Sequence, residues 1–534
     1  MQENKNSLAI KISGPAGAGI MRLGEILSSS LNKAGYYALV YPEYPSRIRG
    51  GDNNIQIVLS TFSKISPRKK VDILFAFSDA LKSLHQDDVE KGGLIFSAQD
   101  LKFDEIEEIY NNPIVMNMTI AGFVWGLLSQ NQNILLAQVK SLLGAKHFLL
   151  NEKVAKIGFS LSSPWKKFEI KPSPDKIFGA TGNEVFALSA ILAQCEYASI
   201  YPMTPITSLL DELSKSEIRL VEPEDEIFAA ISAIGASYAG KRSMTATSGG
   251  GFCLMSEAVG LSAMAEIPLV IVLGQRAGPS SGIPTYSSQA DLNFAIFSGH
   301  GDFPKIVLAP GDLEEVSRLT QTAFNLADQY QVPVIILTDK YLSETRFSAS
   351  KSFKKIKINR GLRYTKAASD YRRYKLTKSG ISPRAFPGET VFKTCSYEHD
   401  DFGLSTDSAK IKVEMMEKRM RKLEALSGGF EIYGNKKSPD LIIGFGSTKT
   451  VIMEFLDANP RLKYIHIWRP WPFPDDLKEE IKKAKNVISI ENNFSGQLAY
   501  LVARETGISP KKFLKDDGRP FFKEELLEAI SSKL

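Results

Sequence analysis

The sequence predicts an α/β protein built from three doubly wound domains, and three observations carry that reading. Apolar runs of strand length alternate with helix-period segments in three successive blocks, the βαβ pattern that yields mostly parallel sheets covered by helices. The 534 residues, 43% of them apolar and 24% charged, suit three or four domains of ordinary globular composition. Two breaks in the alternation, one rich in Pro, Ser and Lys and one strongly basic, separate the blocks. No fixed-period repeat is visible, which excludes a solenoid.

The first block, residues 1–160, opens with LAIKIS, a glycine turn and a helix over about Ile20 to Lys33. The runs YALVY, NIQIVLS, DILFAF, LIFS and PIVMNMT follow and read as strands. Residues 161–182 (SSPWKKFEIKPSPDKIFGATG at their core) break both periodicities and read as a linker. The second block, 183–345, predicts helices over Glu184 to Ala193, Leu209 to Lys215 and Glu226 to Ala239, among the strands YASIY, IRLVE, SMTAT, PLVIVLG, KIVLAP and PVIILT. An irregular basic stretch and a helix over Lys410 to Leu426, closed by Gly428 and Gly429, fill 346–437. The third block, 438–534, carries LIIGFGS, YIHIW and VISIE and ends in helices over Gln497 to Thr506 and Lys523 to Ser531.

The net charge of +6 is unevenly spread, because Arg346 to Gly380 holds twelve Lys or Arg against the single acid Asp370. The remainder is therefore net −5, the difference between +6 and +11. The run contains no nucleic-acid-binding motif and interrupts an enzyme-like scaffold, so it reads as a solvated arm that orders only against other chains of an assembly. A polar amino terminus, and apolar runs such as Ile267 to Leu273 that are too short to span a bilayer, give the expectation of a soluble cytoplasmic protein that binds neither nucleic acid nor membrane. Cys195, Cys253 and Cys395 lie too far apart in sequence to form a disulfide framework or a metal or iron–sulfur site within the chain, so any cluster belongs to a partner.

Chemistry is expected at strand ends. The turn GPAGAG places Gly14, Gly17 and Gly19 as G-x-x-G-x-G, which departs from the dinucleotide fingerprint, and no Gly-Lys-Ser/Thr is present to make a P-loop. Close helix–strand packing and a phosphate-bearing ligand of another kind both remain open there. Arg47 and Arg49 precede a Gly-Gly turn and suit a phosphate. In the second block, Tyr201-Pro202-Met203-Thr204-Pro205 forms a stiff strand-end loop, and Glu222, Glu224, Asp225 and Glu226 crowd a helix start where the dipole favours acids. Thr245 to Gly251 and Gly274 to Gly282 end two further strands.

The set GNEVFALSAI, YPMTPIT, EPEDEIFAAISAIGASYAG, TATSGGGFCLMSE, EIPLVIVLGQRAGPSSGIPT and HGDFPKIVLAP resembles the α subunit of 2-oxoacid:ferredoxin oxidoreductases. Residues 1 to about 160 resemble that family's separate γ subunit, YKLTKSGISPRAFPG with EHDDFG is similar to the intersubunit segment of its 2-oxoglutarate forms, and ENNFSGQL is similar to its transketolase C-terminal-like domain. The resemblance thus implies a γ–α fusion with a γ-type domain, a thiamine-enzyme pyrimidine-binding-type domain and a transketolase C-terminal-like domain. It implies oxidative decarboxylation of a 2-oxoacid, 2-oxoglutarate being favoured, with CoA as co-substrate and ferredoxin as electron acceptor. Pyruvate or a branched-chain 2-oxoacid is the alternative substrate, and a non-catalytic scaffold subunit the alternative role. Thiamine diphosphate, Mg²⁺ and a [4Fe-4S] cluster would be held mainly by a β subunit, in an (αβ)₂ heterotetramer.

By motif, Glu226 corresponds to the carboxylate that hydrogen-bonds the aminopyrimidine ring and promotes ylid formation. Thr204 falls on the threonine that contacts the substrate, and Arg276 on the arginine that pairs with its carboxylate. Tyr201, Pro202 and Pro205 would face the thiamine diphosphate, and Arg47 and Arg49 the CoA. Departures from the family pattern are Met203 and the pair Ile206-Thr207 in the first loop, Gly250 where proline is usual, and GPAGAG in place of a GxGGQG turn.

Overall fold

The computed structural model describes residues 6–45, 51–100, 115–165, 167–365 and 370–531. In chain order, β1 (Ser7–Pro15), β2 (Tyr37–Glu43), β3 (Asp52–Ser60), β4 (Val71–Ala76), β5 (Val89–Ser97) and β6 (Phe178–Thr181) precede β7 (Tyr197–Ser199), β8 (Arg219–Val221), β9 (Ser243–Ser248), β10 (Leu269–Gln275), β11 (Ile306–Leu308) and β12 (Pro333–Asp339). They are followed by β13 (Arg346–Ala349), β14 (Phe430–Gly434), β15 (Asp440–Gly444), β16 (Lys463–Ile467), β17 (Asn486–Glu491) and β18 (Lys511–Leu514). Three sheets result, ordered β5-β4-β1-β3-β2-β13-β6, β11-β12-β10-β9-β7-β8 and β14-β16-β15-β17-β18. The α/β class expected from the alternation is the one observed.

The second sheet is parallel throughout, and the third departs from parallel only at β14. Every side chain of β10 and of β12 is buried, as expected of strands covered on both faces. The first sheet is mixed: β1, β4 and β5 are parallel, whereas β2, β3, β13 and β6 run antiparallel to their neighbours. Its last two strands come from outside the first block. Residues 178–181 lie in the stretch read as a linker, and 346–349 open the stretch read as a solvated arm. They pair from Phe178–Ala349 to Thr181–Arg346, and Arg346 pairs with Val40. Four-residue strands carry too little period to be read alone; β13 becomes a strand because β2 offers it an edge, and β6 because β13 does. Tyr37, Leu39, Tyr41 and Val58 of this sheet share one core with second-domain residues such as Phe186, Leu209 and Val316.

A second difference lies at PIVMNMT. Its described residues belong to a helix, Val115–Leu127, with every side chain buried. A wholly apolar run has no face to betray its period, which is why it reads equally well as a strand. Glycines let the helix touch its neighbour Phe148–Leu161 backbone to backbone: a Cβ on Gly122 would stand 1.9 Å from the Ala155 carbonyl oxygen, and one on Gly158 1.9 Å from that of Thr119.

The described residues of the basic stretch lie on their own chain, contrary to the expectation of an arm ordered only by partners. Residues 354–359 run extended along the helix Leu313–Tyr330, whose Gln321, Asn325 and Gln329 recur every fourth position on one face. Gln321 donates to the Lys354 carbonyl (3.0 Å) and accepts from Ile356 N–H (2.8 Å), while Asn325 does the same with Lys357 and Asn359 (both 2.9 Å). Buried acids gather cations from this stretch and from the segments around it. Asp328 accepts from Arg242 (2.9 Å) and Arg384 (3.0 Å), with Arg360 at 3.4 Å. Glu266 accepts from Lys418 (2.6 Å) and Lys422 (2.7 Å), all three side chains being fully buried. Arg373 closes the same pocket on the Glu266 carbonyl at 2.6 Å.

Burial pushes the Glu266 carboxyl upward, but Lys418, Lys422 and Arg373 overcome this and hold it well below the usual carboxylate range. Glu266→Gln leaves two buried ammonium groups without their anion, and we expect it to cost roughly 3–5 kcal/mol of unfolding free energy, read by urea titration. Because the folded-state value is depressed, this contribution is intact above the unfolded value near about pH 4.3 and is lost as pH falls below it. The difference between wild type and Glu266→Gln therefore shrinks in acid.

Candidate active site

The strands β10, β9, β7 and β8 are neighbours, so the loops leaving their C-terminal ends meet along one edge of the second sheet, where open parallel sheets bind ligands. These loops deliver Arg276, the glycine run 249–251, Tyr201 to Pro205, and Glu226.

Of the four acids at the helix Glu226–Tyr238, Asp225 is the cap, its side chain accepting from Phe228 N–H at 2.7 Å. Glu226, the first helical residue, is 4% exposed, and its Oε1 is buried without a hydrogen-bond partner. That is a costly arrangement for a carboxylate unless a donor from outside the chain arrives. The glycine run makes room for it: a Cβ on Gly251 would lie 2.6 Å from Glu226 Oε1 and 2.1 Å from Thr247 Oγ1.

The loop Tyr201 to Pro205 is half-buried up to Thr204 and buried at Pro205, which follows a cis peptide bond. Asn183 holds the loop from below, donating to the Pro205 carbonyl at 2.9 Å and to Ser208 Oγ at 2.7 Å. Met203 lies against Ser248 Oγ. Arg276 Nη1 donates to the Thr204 carbonyl at 3.0 Å, so two of the residues singled out by sequence are in direct contact. Burial lowers the Arg276 guanidinium from its ordinary value, and Asp291 opposes the shift. Asp291 itself is pushed up to about 6 by burial, against the pull of Arg276.

Sequence reasoning missed Asp291 and the device that places it. The motif ENNFSGQL of the third domain grips the second-domain segment 289–293. Gln289 N–H donates to the Asn492 carbonyl (2.7 Å), Asn492 N–H to Gln289 Oε1 (3.1 Å), Asn493 Nδ2 to the Gln289 carbonyl (3.2 Å), and Asn293 N–H to Gln497 Oε1 (2.8 Å). Glu491, fully buried, fixes the motif by accepting from Leu498 N–H (2.7 Å) and Ala499 N–H (2.9 Å) at a helix start. The pairing of two amide-rich segments, SSQAD and ENNFSGQ, was the available signal.

Arg47 and Arg49 lie outside the described residues. On one side of them the Pro45 carbonyl accepts from Thr285 Oγ1 at 3.4 Å, and on the other the Gly51 carbonyl accepts from Ala16 N–H of the glycine turn at 3.2 Å. The three cysteines are free, and among the described residues no group of three or more His, Cys, Asp or Glu is placed to hold a metal ion. Among the same residues no helix is long and apolar enough to cross a membrane.

Residues 189–418 match the family described as pyruvate flavodoxin/ferredoxin oxidoreductase, thiamine diP-bdg, and residues 9–161 match pyruvate ferredoxin/flavodoxin oxidoreductase. The 2-oxoacid:ferredoxin oxidoreductase subunit alpha of a Sulfolobus species is 30% identical, over 97% of this chain and 96% of its own. The chain belongs to the 2-oxoacid:ferredoxin oxidoreductase α-subunit family. The 2-oxoglutarate synthase subunit KorA of Methanothermobacter thermautotrophicus is 31% identical over 65% of this chain and 96% of its own. The 2-oxoglutarate:ferredoxin oxidoreductase from Magnetococcus marinus, solved with 2-oxoglutarate, coenzyme A and succinyl-CoA bound, superposes with a TM-score of 0.91 over 99% of this chain and 100% of that one, at 29% identity. The protein is thus an oxidoreductase subunit of the α type, and the resemblance read from its motifs holds over nearly the whole chain.

Gly251→Ala drives a methyl group into Glu226 and Thr247, and we expect turnover of the assembled oxidoreductase to fall about 100-fold, the effect of displacing a reacting group by about 1 Å. Gly250→Ala meets nothing within 4 Å and serves as the control, with turnover held within about twofold. Steady-state kinetics on the two variants side by side checks this.

Proposed function

We propose that this chain is the γ–α fused subunit of an oxidoreductase that decarboxylates a 2-oxoacid, 2-oxoglutarate by preference, in the presence of CoA, yielding acyl-CoA and CO₂ and passing the electrons to ferredoxin. The observation that carries the reading is the buried, unpartnered Oε1 of Glu226 beside an apolar surface. Ile227, Phe228, Ile231 and Leu254 are 40–51% exposed on the two helices that flank it. A carboxylate waiting for a donor, rimmed by uncovered apolar side chains, fits a cofactor ring brought by a second subunit docking on this face.

Thiamine diphosphate, when bound, supplies the electron sink for cleavage of the bond to the departing carboxylate. The residues of this chain do the rest on their side. Glu226 Oε1 would accept from the aminopyrimidine and hold a proton there, in a pocket whose desolvation strengthens the interaction. Tyr201, Pro202 and Pro205 wall the ring side, and Thr204 faces the substrate. Arg276 anchors the substrate carboxylate, its guanidinium already oriented by the Thr204 carbonyl. Arg47 and Arg49 suit the phosphates of CoA. Mg²⁺ and the [4Fe-4S] cluster belong to the β subunit in this reading, since a Cys₄ cluster needs more thiolates than three scattered cysteines supply. The complex would be an (αβ)₂ heterotetramer.

With the α and β chains co-purified, Glu226→Gln is expected to leave assembly intact, by gel filtration, and to lower kcat about 10²- to 10⁴-fold. Arg276→Ala is expected to raise KM for the 2-oxoacid at least about 30-fold, equivalent to roughly 2 kcal/mol, with KM for CoA little changed. A panel of 2-oxoglutarate, pyruvate and branched 2-oxoacids with a viologen acceptor tests the substrate; fastest kcat/KM on pyruvate overturns the preference stated here.

A further inference from the structure

The loop that carries Thr204 is held by two side chains acting on consecutive carbonyls. Arg276 Nη1, from the end of β10, donates to the Thr204 carbonyl at 3.0 Å. Asn183 Nδ2 donates to the next one, that of Pro205, at 2.9 Å, and to Ser208 Oγ at 2.7 Å. A carbonyl oxygen can only accept, so Asn183 has to present its nitrogen there, and an isosteric carboxylate could not take its place. Gly274 supplies the floor under the same turn: a Cβ on it would stand 2.7 Å from Ile206 Cδ1 and 2.9 Å from Pro205 Cγ. Asn183 is itself held fast. It is fully buried in the first turn of the helix Gly182–Leu192, which Thr181 of β6 caps by accepting from Glu184 N–H at 3.2 Å, while Glu184 accepts from Thr181 N–H at 2.9 Å. Arg346 of β13 donates to the same glutamate at 2.5 Å, and a Cβ on Gly182 would lie 2.3 Å from the Leu342 carbonyl oxygen. The amide is thus fixed to the edge of the first sheet, and the loop is fixed to the amide.

We propose that Asn183 is a positioning residue of the 2-oxoacid site: by holding the Pro205 carbonyl it fixes the Thr204 peptide, and through that peptide the orientation in which the Arg276 guanidinium meets the substrate carboxylate. The inference rests on the assignment of Thr204 and Arg276 to the substrate. A guanidinium carries five N–H donors in one rigid plane. With one of them committed to the Thr204 carbonyl, the plane is set and the rest of the fork is left for a carboxylate. Removing the Asn183 amide strips the Pro205 carbonyl of its donor, and a buried carbonyl left so turns toward another. The Thr204 carbonyl turns with it, and the guanidinium loses the stop that orients it. The damage falls on the group that anchors the 2-oxoacid, so it is felt in the affinity for that substrate and not in the affinity for CoA. Ser208 separates this role from packing alone, because it receives the second bond of Asn183 Nδ2 and has no part in the hold on Pro205.

The test is a double-mutant cycle on the assembled αβ enzyme, with 2-oxoglutarate as the probe, reading KM for it and for CoA in wild type, Asn183→Ala, Arg276→Ala and the double variant. Asn183→Asp and Ser208→Ala are measured beside them. Asn183→Ala and Asn183→Asp are each expected to raise KM for the 2-oxoacid about 10-fold, less than Arg276→Ala itself, with KM for CoA within about twofold. Once Arg276 is alanine, Asn183→Ala should add less than about twofold, because the two residues act on the substrate through one contact. Ser208→Ala should leave KM within about twofold. Asn183→Ala buries no charge and carries the test if the aspartate variant fails to assemble by gel filtration. An Asn183→Ala effect that persists in full in the Arg276→Ala background overturns the proposal, as does one that shifts KM for CoA by the same factor or that Ser208→Ala reproduces. If Arg276→Ala alone leaves KM for the 2-oxoacid unchanged, the assignment of Arg276 fails and the proposal falls with it. A large Arg276→Ala effect beside a silent Asn183→Ala sinks the proposal alone, so the two failures are told apart.

Discussion

A carboxylate taken out of water must be met by cations or donors, and much of this molecule is arranged around that requirement. Three acids of the second domain are buried between segments. Glu266 meets Lys418 and Lys422, and Asp328 meets Arg242, Arg384 and Arg360. Glu315 meets Lys449 at 2.7 Å and His466 at 2.8 Å. In each case most of the cations come from later in the chain than the acid. The basic stretch after residue 346 and the first elements of the third domain are thereby pinned to one scaffold. Burial pushes the Glu315 carboxyl up, yet His466 and Lys449 hold it well below the ordinary range, the mark of an acid whose ionised form the fold requires. Such pairs add less net stability than their count suggests, but they forbid alternative dockings, because any other arrangement strands a charge.

Pinning of this kind matters because the site is made from separate pieces. Four strand ends of the second sheet supply Glu226, the glycine run, the Thr204 loop and Arg276, while the segment carrying Asp291 takes its position from hydrogen bonds to Asn492, Asn493 and Gln497 in another domain. A shift of the third domain would be felt at Asp291 before it was felt at Glu226. The shared core, in which Ile335 and Leu337 of β12 pack with Ile443, Phe445 and Ile465, stiffens that connection.

What could be read from the sequence follows from how physical information is stored along a chain. The central strands, the helix starting at Glu226 and the loops around Thr204 and Arg276 announce themselves locally, through period, capping residues and proline spacing. The partnerships do not. Strands β13 and β6 are four residues long and exist because β2 is there to pair with β13, which in turn pairs with β6. The helix Val115–Leu127 is buried on all sides, so its composition hides its period. The basic stretch reads as an arm in need of partner chains when its charges are counted without the acids they meet within the chain. Those acids, among them Glu184 for Arg346 and Asp328 for Arg360, lie well before it in sequence, and the Gln321–Asn325–Gln329 row that binds its backbone reads as an ordinary polar helix face. Asp291 escaped notice because its segment is held by Asn492, Asn493 and Gln497, which lie far along the chain.

Two carboxylates, Glu226 and Asp291, stand at opposite ends of one glycine run, and their surroundings differ. Glu226 is buried within the chain, and its orphaned oxygen gives a reason for the exposed Ile227, Phe228 and Ile231 beside it: covering those side chains and supplying a donor to that oxygen are tasks a single docking partner can perform together. Asp291 is half-open, and its place is set from outside the second domain, through the neighbours that Asn492, Asn493 and Gln497 hold. Gly249 and Gly251 are the residues that let both approach the same helix start. A side chain at either position would push one carboxylate away and leave the other, which is why the run T-S-G-G-G is better understood as the spacer between two acids than as a flexible loop.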